Sequence, residues 1–164
     1  MRKRVIICSV LALAAVLIIS ICLIVHHNSI TPKHGDLVVN GEIVCQNDID
    51  IYKNNVAHIP LVKVMQAMGF DIQWENDNVA NINGYGKTLV LNVSQMSLID
   101  ADSSHNLITP APGSRNFYCQ TASKDIVIDD NTVKSIMTLL EIDIRIDVNL
   151  SQAAVYIYTT GNNP

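Results

Sequence analysis

The apolar quartet Leu61, Val64, Met65 and Met68 recurs 72 positions later as Val133, Ile136, Met137 and Leu140. No other feature constrains the fold as much, because both quartets fall at i, i+3, i+4 and i+7, one stripe of an α-helix, and such self-similarity marks an internal repeat. In each copy the period then drops to two. Phe70, Ile72 and Trp74 alternate with Asp71 and Gln73, and Ile142, Asp143, Ile144 and Ile146 follow the same order, as in half-buried strands. A helix of about nine residues is marginal alone in water. Each one must therefore gain its stability by laying its apolar stripe on a sheet.

Local signals bound these elements. Pro60 suits a first helical turn, where its missing N–H needs no partner, and Gly69 supplies a C-terminal stop. Asp129, Asp130 and Asn131 are N-cap candidates for the second helix. Glu75-Asn76-Asp77-Asn78 reads as a turn into a return strand, Val79 to Ile82, and Ala153 to Tyr158 is the second return strand, with Val155 and Ile157 inward. Strand material also precedes each helix: Leu37 to Val39 turns at Asn40-Gly41, a strong hairpin signal, into Glu42 to Cys45. Asn116 to Cys119 and Asp125 to Ile128 precede the second helix. Lys87 to Val93 alternates like a strand, and Asp100 to Gly113 is a polar, proline-bearing connection. The expected fold is α+β, with repeat one at 36–93 and repeat two at 97–158, each an antiparallel sheet packed on one short helix.

Ahead of the repeats, Val5 to Val25 is a run of 21 residues without a charge. As a helix it would span about 31 Å, close to the roughly 30 Å hydrocarbon core of a bilayer. Arg2, Lys3 and Arg4 precede it, so the positive-inside rule keeps the N-terminus cytoplasmic. A cleaved signal peptide would need a shorter apolar region and a small-x-small site, which His26 to Pro32 lack. A lipoprotein anchor at Cys22 would want a small residue where Ile21 stands. These residues predict a basic cytoplasmic tail (1–4), an uncleaved transmembrane signal-anchor helix (5–25) with the lipid bilayer as its partner, a juxtamembrane linker (26–35), an extracytoplasmic domain (36–160) and a short tail (161–164).

Beyond that run lie all fifteen acidic residues but eight of the eleven basic ones, a formal charge of −7. Binding to nucleic acid through backbone phosphates is excluded on that balance. Cys8 and Cys22 fall in the apolar run. Cys45 and Cys119 fall outside it, where an oxidising space permits a disulfide or leaves two separate thiols.

The stretches VVNGEIV (38–44), IPLVKVMQAMGFDIQWENDNVANI (59–82) and GKTLVLNV (86–93) resemble the copper amine oxidase N-terminal-like domain, the stalk domain of surface proteins in Gram-positive anaerobes. Members of that family carry V-N-G, then N-G-R-T-x-V-P-L-R-x-x-x-E-x-L-G-x-x-V-x-W-D and a return strand, twice over. Asn40-Gly41, Asn54 to Pro60, Leu61, Met68-Gly69 and Trp74-Glu75 occupy those places, and the similarity covers residues 36 to 158. Val62 replaces the customary arginine, Thr132 the second proline, and Leu140-Glu141 the second L-G. The resemblance implies antiparallel strands wrapped on a helix in each copy and a non-catalytic stalk or spacer role. The family's redox chemistry belongs to a separate domain, whose N-Y-D/E and H-x-H marks this sequence lacks.

Other chemistry finds little support. His26 and His27 are adjacent, so their side chains diverge, His34 falls in the linker, and His58 precedes Pro60 on a predicted strand. Asp100, Asp102 and His105 form a compact group without the glycine and spaced carboxylates of a calcium loop. No C-x-x-C exists, and GYGK (84–87) lacks the rest of a phosphate loop. No catalytic, cofactor-binding or metal-binding residue is therefore expected. Pro60, Leu61, Val64, Met65, Met68, Gly69, Trp74, Val133, Ile136, Met137 and Leu140 are expected to be structural. The expected function is that of a membrane-anchored, non-catalytic stalk or binding module of the bacterial cell envelope, contacting cell-wall glycan or another envelope protein. A sensor or regulatory subunit of an envelope complex is the alternative, disfavoured by the four-residue cytoplasmic tail. A metal-dependent enzyme ranks third.

Overall fold

The computed structural model describes residues 16–21, 31–108, 118–120 and 124–160, and the chain divides into two units, Met1–Pro32 and Lys33–Pro164. In the first unit residues 16–21 are helical, and Ser20 Oγ donates to the Val16 carbonyl at 2.8 Å. Among the described residues no helix is long and apolar enough to cross a membrane. That corrects the expected fold, in which a transmembrane helix occupied 5–25. The rest of that segment, Cys8, Cys22, His26, His27 and both tails lie outside the described residues.

The second unit begins with β1 (Lys33–Val39), β2 (Glu42–Ile51), β3 (Ala57–Pro60), α1 (Leu61–Ala67), β4 (Asp71–Trp74), β5 (Val79–Gly84) and β6 (Lys87–Asn92). It continues with β7 (Ser97–Asp100), β8 (His105–Asn106), β9 (Tyr118–Gln120), β10 (Asp125–Asp129), α2 (Asp130–Leu139), β11 (Ile144–Asn149) and β12 (Ala154–Thr159). Asn40 and Gly41 both take positive φ, +51° and +90°, the tight-turn geometry that joins β1 to β2. Pro60 ends β3 and stands at the N-cap of α1, and Gly69, at φ +95°, lets the chain reverse after that helix.

The expectation of one antiparallel sheet per repeat is corrected. One sheet has seven strands in the order β11-β12-β1-β2-β3-β10-β9 and draws on both repeats; the other has five, β4 to β8 in sequence order. Two pairings knit the repeats together. β1 lies parallel to β12, and β3 lies antiparallel to β10. β7, assigned by sequence to the second repeat, instead continues the first repeat's sheet, because pairing Leu98 with Leu91 buries both completely. The apolar stripes of both helices enter one continuous core. At about 25 cal/mol per Å² of apolar surface, sharing one core serves two short helices better than two small cores would.

Cys45 carries a free, buried thiol whose pKa burial raises, against the nearby Lys63 ammonium. The β9 backbone bearing Cys119 is separated from β2 by β3 and β10, about 14 Å at the usual strand spacing. A disulfide needs Cα atoms about 4.4–6.8 Å apart. Denatured without reductant, the chain should therefore take up an alkylating reagent at Cys45, read by mass. Protection there until reductant is added would reinstate the bridge.

Candidate binding surface

Of the residues expected to be structural, the eight of the two helical stripes are brought together in the core. Leu61, Val64, Met65, Val133, Ile136 and Met137 are fully buried, and Met68 and Leu140 nearly so. Trp74 is half-buried at the end of β4. Lys124 Nζ lies 5.3 Å from its ring centroid and 3.0 Å from Asp77 Oδ1, closing a cation–π contact with an ion pair.

The two helices begin differently. α2 is capped by its own Asp129, whose carboxylate accepts from the Thr132 N–H at 2.9 Å. α1 starts at Pro60, which offers no side-chain cap. Its cap comes from the other repeat. Asp125 of β10, fully buried, accepts from the Val62 N–H at 2.8 Å and the Lys63 N–H at 3.2 Å, as well as from the Ile126 N–H at 2.8 Å. Asp130 adds a second bridge by accepting from the Ala57 N–H at 3.0 Å. Burial pushes the Asp125 carboxyl up to about 6, against the pull of those three N–H donors and of Lys63. Asp125 thus joins the repeats and is closed to any substrate. Sequence reasoning missed it, although a helix opening on P-L-V-K, without Ser, Thr, Asp or Asn before it, signalled that a cap must come from elsewhere.

Several other titratable groups make local contacts. Lys63 Nζ pairs with Asp48 at 3.2 Å; burial opposes its charge, but that bond and the Cys45 thiol hold its pKa above the ordinary lysine value. His34 Nδ1 lies 3.1 Å from Asp50. His58 packs against Tyr52 with ring centroids 4.9 Å apart, and burial lowers its pKa. Asp100 accepts from the Asp102 N–H and from the Ser103 hydroxyl, which pulls its pKa down. His105 points outward, so this group closes a turn. Among the described residues no cluster of three His, Cys, Asp or Glu could hold a metal ion.

What the sheet leaves uncovered is its outer face. Along β12, Val155 and Ile157 point into the core, so Tyr156 and Tyr158 point out. Their ring planes are parallel to within 4° and their centroids 6.3 Å apart, and Tyr156 Oη donates to Gln152 Oε1 at 2.9 Å. Val38 lies beside Tyr156 on β1, and Ile43 beside Val38 on β2. On the other flank Asp147 faces Tyr156 and Arg145 faces Tyr158. Ile43 is 63% exposed and Tyr158 40%. Ile43 also borders a shallow depression of about 390 Å³ between β2 and α1, lined in addition by Glu42, Val44, Lys63, Gln66 and Ala67. On the five-stranded sheet Gln73, Asn81, Asn83 and Thr88 face outward, with Asn81 Nδ2 donating to Glu75 Oε1 at 2.7 Å. The outer face of the seven-stranded sheet can stack and hydrogen-bond and that of the five-stranded sheet can hydrogen-bond; among these residues neither face pairs a nucleophile with a base. No family model, curated protein or solved structure matches this chain.

Proposed function

We propose that this chain is a non-catalytic extracytoplasmic binding and spacer module of the bacterial cell envelope, held at the cell membrane through its apolar run 5–25, with cell-wall glycan as its ligand. The observation that carries this reading is the outward-facing row of Tyr156, Tyr158, Val38 and Ile43, with Tyr158 and Ile43 exposed and the row bordered by Arg145 and Asp147. A tyrosine presents a flat apolar face and a polar tip, matching the C–H face and hydroxyl rim of a sugar ring. The acidic balance of the domain disfavours phosphate-rich wall polymers and favours an uncharged glycan. The resemblance of its first repeat to stalk domains points the same way.

Co-sedimentation of the full chain, kept in detergent, with purified wall sacculi tests the proposal. Tyr158→Ala should reduce retention about tenfold while leaving the fold intact, since exposed aromatic anchors dominate such surfaces. Equal retention of the variant and the wild type would remove the glycan reading. Capture of an envelope protein by crosslinking in cells, with no retention on sacculi, would move the function to protein docking.

A further inference from the structure

The seven-stranded sheet ends at β11. Among the described residues the other edges are shorter: two residues in β8, three in β9 and four in β4, where Lys124 lies over Trp74. β11 runs six residues, IRIDVN, without proline and in unbroken register with β12. The Thr160 N–H donates to the Asp143 carbonyl at 3.0 Å. By the alternation of an antiparallel ladder, Arg145 and Asp147 then spend their backbone groups on β12, while Ile144, Ile146 and Val148 direct theirs at the open edge. The inward side chains of Ile146 and Val148 are only half-buried. Such an edge is a template for another strand.

We propose that β11 pairs antiparallel with β11 of a second copy of this chain, Ile146 opposite Ile146, so that two seven-stranded sheets join about a two-fold axis. In this register Ile144 meets Val148 of the second copy, and each opposed pair exchanges two backbone hydrogen bonds. Arg145 then faces Asp147 of the second copy on the outer surface, at the non-hydrogen-bonded positions where side chains approach most closely. Charge selects this arrangement over its neighbours. Sliding by two residues one way sets arginine against arginine, and the other way aspartate against aspartate. A slip by one residue turns the isoleucines out of the core face. Charges on an edge ordinarily block pairing; here opposite signs two residues apart make the strand complementary to itself. Both side chains are exposed, 72% and 56%, and only 4.0 Å apart within one copy, so each is available to exchange partners. The tyrosine row of each copy would continue toward the other across the shared sheet, whatever ligand that row takes.

Sedimentation of the full chain in density-matched detergent, across a range of protein concentrations, tests the pairing by charge exchange. R145D and D147R, each alone, should weaken dimer formation about tenfold, because two attractive pairs become two repulsive ones. The double variant R145D/D147R should restore it, because the pairs are rebuilt with reversed sign. Loss of folding cannot imitate that rescue. A chain monomeric throughout, single variants that dimerise like the wild type, or a double variant that does not recover would each overturn the proposal.

Discussion

Replacing Asp125 with alanine should lower the stability of the domain by about 3 kcal/mol near pH 4, seen as a fall of about 10 °C in Tm. The substitution leaves the N–H groups of Val62, Lys63 and Ile126 without their acceptor, two of them in the first turn of a helix that has no other side-chain cap. The cost should shrink as the pH rises. The buried carboxyl titrates at about 6, above the roughly 3.9 of an unfolded aspartate. The folded state therefore holds the proton more tightly, and the stability this confers is complete below pH 4 and lost as the pH climbs through 6, by about 3 kcal/mol. Asparagine keeps one acceptor oxygen and cannot ionise. Asp125→Asn should thus cost less than alanine, and the difference between wild type and this variant should change between pH 4 and 7, then level off. Parallel stability curves for the two proteins would show that the carboxyl does not titrate in that range.

Gly35→Ala should be about as damaging, on the order of 3 kcal/mol, through overpacking. A Cβ at this position would press on the carbonyl oxygen of Ala153, 2.8 Å from the carbonyl carbon and 2.6 Å from Ile51 Cδ1. The isoleucine can turn aside; the carbonyl cannot, because it accepts the Asp36 N–H at 2.9 Å in the β1–β12 junction. Gly41→Ala provides the control. Its Cβ would meet nothing within 4 Å, so only the positive φ is penalised, by about 1 kcal/mol. Equal losses of Tm in the two variants would mean that the close approach of β1 to β12 does not set the requirement for glycine at 35.

Local pattern made much of this fold readable. The i, i+3, i+4 stripe located both helices, the alternation from Phe70 to Trp74 located β4, and Asn40-Gly41 located the first turn, because each depends on neighbours a few residues away. Partner choice was not readable in the same way. Nothing in the period of Leu37 to Val39 says that its neighbour is Val155 to Ile157, and hydrophobic alternation fits a strand to any sheet that buries one of its faces. The repeat itself suggested two separate sheets. Instead, strands from both copies interleave in one sheet and share one core. Among the candidate surface residues, Tyr156 and Tyr158 were legible by alternation once Val155 and Ile157 were placed inward. Asp125 was not, because its task is set by a helix more than sixty residues away.

The same-direction alignment of β1 and β12 carries a mechanical consequence. Force entering ahead of Lys33 and leaving beyond Thr159 would drag the two strands past each other lengthwise, so the rungs from Asp36–Ala154 to Val39–Ile157 would share the load together. Strands peeled from one end give way rung by rung; strands sheared along their length must break many at once. A domain built this way is suited to holding its shape between two anchorage points under tension.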